Sequence, residues 1–66
     1  MEVRINGEAR ELADGASVVD ALAAIGAPQV GVAVAVDGAL VRRADWPAAE
    51  LAEGAQIEIL TAVQGG

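Results

Sequence analysis

Two kinds of side chain that ordinarily carry chemistry are missing from this sequence: there is no Cys and no His. Without Cys there is no disulfide, no thiolate metal site and no cysteine nucleophile. Without His the commonest neutral-pH acid–base group and the commonest metal ligand are gone. No pair among the ten Asp and Glu is spaced convincingly for acid–base catalysis or for holding a metal. The uncommon reactive group is the terminal carboxylate, carried on Val63-Gln64-Gly65-Gly66. Two glycines remove every β-carbon near it, so the end can thread a narrow channel in a partner's active site and adopt backbone angles closed to other residues. A carboxylate presented in this way can attack the α-phosphate of ATP to become an acyl-adenylate, which accepts a thiol, persulfide or amine. All catalysis would belong to the partner, and the chain itself would not be an enzyme. With Gly near 7% of residues, two terminal glycines arise by chance in roughly 0.5% of chains. Alone they read as an ordinary disordered terminus, so the elements before them decide.

Those elements must fit into 66 residues. A chain of this size buries only about 60% of the surface its unfolded form exposes and cannot also enclose a deep cleft. Of its apolar residues 16 are Ala, and the larger ones are chiefly nine Val, five Leu and four Ile. That suffices for one sheet with a helix across it, and for no second layer or domain. Asn6-Gly7 lies between the alternating Glu2-Val3-Arg4-Ile5 and Glu8-Ala9-Arg10-Glu11-Leu12, a strong hairpin signal because both central residues of a type I′ turn need positive φ. Ser17 reads as a helix N-cap with Asp20 at N3. Val18, Leu22 and Ile25 fall on one helical stripe, Gly26 suits the left-handed position after the helix and Pro28 prevents its continuation. The spacing predicts a helix over 18–25.

Residues 30–36 alternate Val with Gly or Ala and predict a strand with Val30, Val32, Val34 and Val36 on one face. Asp37-Gly38 turns the chain into a short strand, Ala39-Leu40-Val41. Residues 42–51 are irregular, with a helical turn expected after Asp45 that includes Trp46-Pro47. Residues 56–62 predict the last strand, with Ile57, Ile59 and Thr61 inward and Glu58, Leu60 and Ala62 outward. Hairpin, helix and later strands give an α+β chain, a mixed sheet of four to five strands with one main helix on one face. That is the β-grasp, the fold of ubiquitin. The domain is expected over 1–63, with 64–66 as a flexible tail.

Length, element order and two segments together carry a resemblance. Asp37-Gly38-Ala39-Leu40-Val41-Arg42-Arg43-Ala44-Asp45-Trp46 and Ile57-Glu58-Ile59-Leu60-Thr61-Ala62-Val63-Gln64-Gly65-Gly66 resemble the thiamine-biosynthesis sulfur carriers, ubiquitin-like β-grasp proteins that end in Gly-Gly. The resemblance covers the whole chain. That family often shows Asn where Asp37 stands and Pro where Arg42 stands, both on a turn or strand end. The resemblance implies that a ubiquitin-activating-type adenylyltransferase, using ATP and magnesium, adenylates Gly66. Sulfur from a cysteine persulfide, supplied by a cysteine desulfurase or another donor, then replaces AMP to give a terminal thiocarboxylate. Thiazole synthase takes that sulfur into the thiazole ring of thiamine. No cofactor would be bound by this chain. The absence of Cys suits a carrier that holds sulfur on its terminal carbon, and the absence of Lys precludes isopeptide-linked copies of itself. Three alternatives stand beside this reading. One is the small subunit of molybdopterin synthase, whose chains tend to be longer with a more aromatic, Pro-containing approach to the glycines. A second is a carrier for another sulfur pathway, and the third a plain β-grasp interaction domain with incidental glycines.

The remaining residues sort by partner. A net charge of −6 is repelled by nucleic acid and by anionic membranes and is drawn to basic protein surfaces. No apolar stretch reaches the roughly 18 residues that span a bilayer. Met1-Glu2-Val3-Arg4 does not open a secretory signal, so the cytoplasm is the expected compartment. Leu60, with Ala62 and Glu58, is the candidate docking surface, and Gly65, Gln64 and Val63 are the residues expected to thread a partner's site. Trp46 reads as a lid on one edge of the core. Arg42-Arg43 reads as a pair that offsets nearby acids, and Glu50, Glu53 and Glu58 as a solvated face.

Overall fold

In the computed structural model, which describes residues 1–61, Asn6 and Gly7 take φ values of 53° and 85°. These angles close a two-residue turn between β1 (Glu2–Ile5) and β2 (Glu8–Glu11), with Ile5 opposite Glu8. Asp37 and Gly38, at φ 51° and 84°, do the same between β3 (Val32–Val36) and β4 (Ala39–Val41). Positive φ at both central residues matches the right-handed twist of the flanking strands. The last strand, β5 (Gln56–Thr61), enters the middle of the sheet, whose order is β2-β1-β5-β3-β4. It runs parallel to β1 and antiparallel to β3. The architecture is the expected β-grasp with five strands.

The helix α1 (Val18–Ala24) crosses one face of this sheet. At its start the Ser17 N–H donates to the Asp20 carboxylate at 2.8 Å. At its end the Gly26 N–H reaches the Ala23 carbonyl and the Ala27 N–H reaches the Leu22 carbonyl, at 3.1 and 2.9 Å. Gly26 sits at φ 68°, the left-handed geometry that lets the chain turn back over its own last carbonyls. Arg10, from the edge strand β2, donates to the Ala24 carbonyl at 3.3 Å, placing a cation at the negative helix end. Val18, Ala21 and Leu22 face Val3, Ile5, Val34, Ile57 and Ile59 of the sheet, and all are buried. Leu22, Ile57, Val3, Val18 and Val34 are the largest fully buried side chains, each worth about 1.5–3 kcal/mol when removed from water.

Between β4 and β5 the chain forms a 3-10 helix (Arg43–Ala48). It begins three residues earlier than the turn expected after Asp45, because the Asp45 N–H already bonds back to the Arg42 carbonyl at 2.8 Å. Trp46 is buried and its Nε1 donates to the Val41 carbonyl at 3.0 Å. It is the expected lid, tied to the end of β4. Contrary to expectation, Arg42 and Arg43 form no ion pair among the described residues. Met1 joins the hairpin to the following turn, its ammonium lying 3.1 Å from Glu11 and 3.3 Å from Asp14. The Glu11 hydrogen bond holds that ammonium above its usual pKa, against the opposing effect of burial, with Asp14 adding to the rise.

Two further expectations are corrected. Val30 is not in the third strand and is 69% exposed. The strand begins at Val32 because Gly31 takes φ +76°, which takes the preceding chain out of the ladder. Thr61 is exposed, although alternation puts it on the side of Ile57 and Ile59. It lies opposite Val32, the first residue of β3, where the sheet has run past the apolar cover. The expected boundary at residue 63 lies outside the described residues.

Candidate functional site

Among the described residues no group of three or more His, Cys, Asp or Glu could hold a metal, and no helix is long and apolar enough to cross a membrane. The candidate site is therefore built around the end of β5, from which the chain continues to Gly66. A central strand held on both sides is a rigid platform for whatever follows it. On the β3 side the ladder runs without interruption from Val36↔Ile57 to Val32↔Thr61. On the β1 side it is short, Arg4↔Gln56 and Ile5↔Ile57, because β1 turns away at Asn6.

Asn6 makes up for that turn. Its main-chain N–H donates to the Ile57 carbonyl at 2.9 Å. Its side chain then acts as one more strand residue: Oδ1 accepts from the Ile59 N–H at 2.8 Å, and Nδ2 donates to the Ile59 carbonyl at 3.2 Å. Asp37 has a similar role at the other end, where Oδ1 accepts from the Gln56 N–H at 2.9 Å and the Asp37 N–H donates to the Gln56 carbonyl at 2.7 Å. From sequence both residues signalled only turns, since partners up to 53 positions away leave no local mark. Asn6→Gly keeps a residue suited to positive φ and deletes only the clamp on Ile59. It should lower unfolding free energy by about 1–3 kcal/mol, the cost of leaving partly buried backbone groups unpaired. Chemical denaturation reads this directly; a change within about 0.5 kcal/mol, the range of ordinary surface substitutions, would mean that Asn6 serves the turn alone.

The outward face of β5 carries Gln56, Glu58 and Leu60, all exposed, as expected for Glu58 and Leu60, with Leu60 at 66%. Next to it on β3 stand Ala33, opposite Leu60, and Ala35, opposite Glu58. Beyond them Leu40 of β4 lies opposite Ala35 and is 72% exposed. Two leucines thus flank a strand of small side chains, a continuous apolar area on the sheet face away from α1. On the same face β1 and β2 carry Glu2, opposite Glu11, and Arg4, which lies opposite Gln56 of β5. Leu40 was missed in the sequence because membership of this face depends on which strands become neighbours. At the end of the ladder Gly31, Val32, Ala33, Leu60 and Thr61 line a shallow hollow of about 310 Å³. A hollow of about 440 Å³ between α1 and the 3-10 helix, lined in part by Val19, Arg43 and Trp46, takes no residue from β5. Ala62, Val63, Gln64, Gly65 and Gly66, the other expected site residues, lie outside the described residues.

The arrangement can present a chain end and offer a surface beside it. The comparisons agree with this build. The model of the ThiS family matches residues 3–66. The crystal structure of the thiamine biosynthesis protein ThiS from Geobacter metallireducens is similar at a TM-score of 0.82 and 26% identity, with all of both chains covered. The solution structure of a thiamine biosynthesis protein from the same organism is similar at a TM-score of 0.78 and 26% identity, covering all of this chain and 88% of that one. None of the curated proteins matches the sequence. With a five-stranded β-grasp sheet and a family match over residues 3–66, the chain belongs to the ThiS family.

Proposed function

We propose that this chain is a sulfur carrier of thiamine biosynthesis and acts as a co-substrate of partner enzymes. The observation that supports it most is the family match, which extends through Gly65-Gly66. It also favours this reading over a molybdopterin synthase subunit, a carrier for another pathway or a plain interaction domain. In the first step a Gly66 carboxylate oxygen attacks the α-phosphorus of ATP in a ubiquitin-activating-type enzyme, and magnesium-bound pyrophosphate leaves. The terminal sulfur of a cysteine persulfide, charged by a desulfurase or another donor, then attacks the acyl carbon and displaces AMP. A second thiol reduces the resulting acyl disulfide and frees the thiocarboxylate for thiazole synthase. Gly65, Gln64 and Val63 are the residues that pass through the partner's channel. The cytoplasm, where ATP and these enzymes meet, is the compartment in which the cycle would run.

Leu60, Leu40, Ala33 and Ala35 form the docking face in this reading, with Glu58 and the net charge of −6 steering it toward a basic surface. Leu60→Glu should leave the melt unchanged, because the side chain is already largely in water. Its affinity for the activating enzyme and thiazole synthase should fall at least about fivefold, the effect of losing about 1 kcal/mol at a central apolar contact. Calorimetric binding equal to wild type would remove Leu60 from the interface. The first chemical step is tested by exchange of labelled pyrophosphate into ATP. The activating enzyme should catalyse it only when this chain is present, and exchange independent of the chain would argue against adenylation of Gly66.

A further inference from the structure

We propose that Asn6 is a deamidation site that the fold holds shut, its carboxamide being locked onto Ile59 until the turn opens. The chain has a single Asn, and a Gly follows it. In such a pair the Gly7 main-chain nitrogen can reach the Asn6 Cγ and close a five-membered ring, and glycine has no β-carbon to hinder the approach. Gly7 is exposed, and its N–H donates no hydrogen bond among the described residues. The nucleophile is therefore free. Ring closure requires the carboxamide to leave its place and turn back over its own main chain.

In the folded chain the carboxamide points the other way. Hydrogen-bonded pairs alternate along antiparallel strands such as β3 and β5, and the bond from the Asp37 N–H to the Gln56 carbonyl fixes their phase. Ile59, opposite Val34, falls between bonded pairs, so its N–H and carbonyl face β1, where that strand has already turned away. The carboxamide fills the gap, accepting from the N–H at 2.8 Å and donating to the carbonyl at 3.2 Å. The Asn6 N–H is tied to the Ile57 carbonyl of the same strand at 2.9 Å. Ring closure must break both side-chain bonds and leave two part-buried groups of Ile59 without partners, which slows it at least about fivefold.

The reaction is a hydrolysis in two steps. The Gly7 nitrogen loses its proton to solvent base and bonds to Cγ; the Cγ–Nδ2 bond breaks, and ammonia leaves after taking a proton from water. Water then opens the succinimide. Cleavage of the new Cγ–N bond gives aspartate at position 6. Cleavage at the Asn6 main-chain carbonyl gives isoaspartate, in which the chain runs through Cγ and is one carbon longer. Neither product can re-form the lock. An ionised aspartate only accepts, so an oxygen would face the Ile59 carbonyl where Nδ2 had donated. Isoaspartate lengthens a turn that closes in two residues between Ile5 and Glu8. Modification is therefore a one-way release of β5 on its β1 side.

The test follows the whole chain in mildly alkaline buffer by intact mass, with the exchange of NH2 for OH located by fragmentation. Asp14-Gly15 and Asp37-Gly38 can close the same ring, but they lose and regain water without a change of mass. Folded wild type should deamidate at Asn6 at least about fivefold more slowly than the same chain unfolded in guanidinium chloride. Ile5→Val trims a buried side chain beside the turn. It should raise Ile59 amide exchange and the deamidation rate by factors that agree within about twofold. In the purified modified chain the Ile59 amide should exchange at least about fivefold faster than in wild type. The proposal is overturned by equal rates in the folded and unfolded chains or by faster deamidation in Ile5→Val with the Ile59 amide still protected. A modified chain whose Ile59 amide is as protected as before would overturn it too. No enzyme takes part, so the outcome is independent of the carrier reading.

Discussion

Val34→Asp is expected to abolish the cooperative melt of this domain. Val34 is fully buried and lies opposite Ile59 on one side and Val41 on the other, with the apolar stripe of α1 over the same face. The substitution removes about 1.5–3 kcal/mol of apolar burial and adds the cost of a carboxyl group with no partner, several kcal/mol more if it stays charged. A core of this size supplies only about 3–5 kcal/mol in total. The loss therefore matches or exceeds what is available. Circular dichroism should show a largely unfolded chain at room temperature, and a melt near that of wild type would mean that the inward face of β3 is misassigned.

The second large effect belongs to the chain end. Deleting Gly66 leaves a carboxylate on Gly65, the same group withdrawn by one residue, about 3.3–3.6 Å. That distance equals the whole separation allowed between reacting atoms, and misplacement by about 1 Å can cost about 100-fold in rate. The shortened protein should fold as wild type does, since the core cluster formed by the described residues draws on none beyond Ile59. Activation and sulfur transfer should fall at least about 100-fold. Transfer at the wild-type rate would show that the position of the terminal carboxylate does not matter, and the plain interaction domain would then be the better reading.

The parts legible in the sequence were those whose causes are local. Asn6-Gly7 and Asp37-Gly38 announced their turns because positive φ is a property of the residue itself. Ser17, Asp20 and Gly26 marked the ends of α1 for the same reason. Alternation gave the faces of β5 correctly at Ile57, Glu58, Ile59 and Leu60. It failed at Val30, where one backbone angle at Gly31 outweighs a perfect apolar pattern, and at Thr61, where the face is right but the cover has ended. The clamp of Asn6 on Ile59 and the addition of Leu40 to the docking face were illegible. Each depends on which strand lies beside which, a result of packing the whole sheet.

The most direct test of the carrier reading is the intact mass of the wild-type chain after incubation with its activating enzyme, ATP, magnesium and a persulfide donor. The account predicts the gain of one sulfur in place of one oxygen, located by fragmentation to the carboxyl group of Gly66, and its loss again when thiazole synthase and its substrates are added. A chain that keeps its original mass with every such enzyme from its own cell would contradict the account.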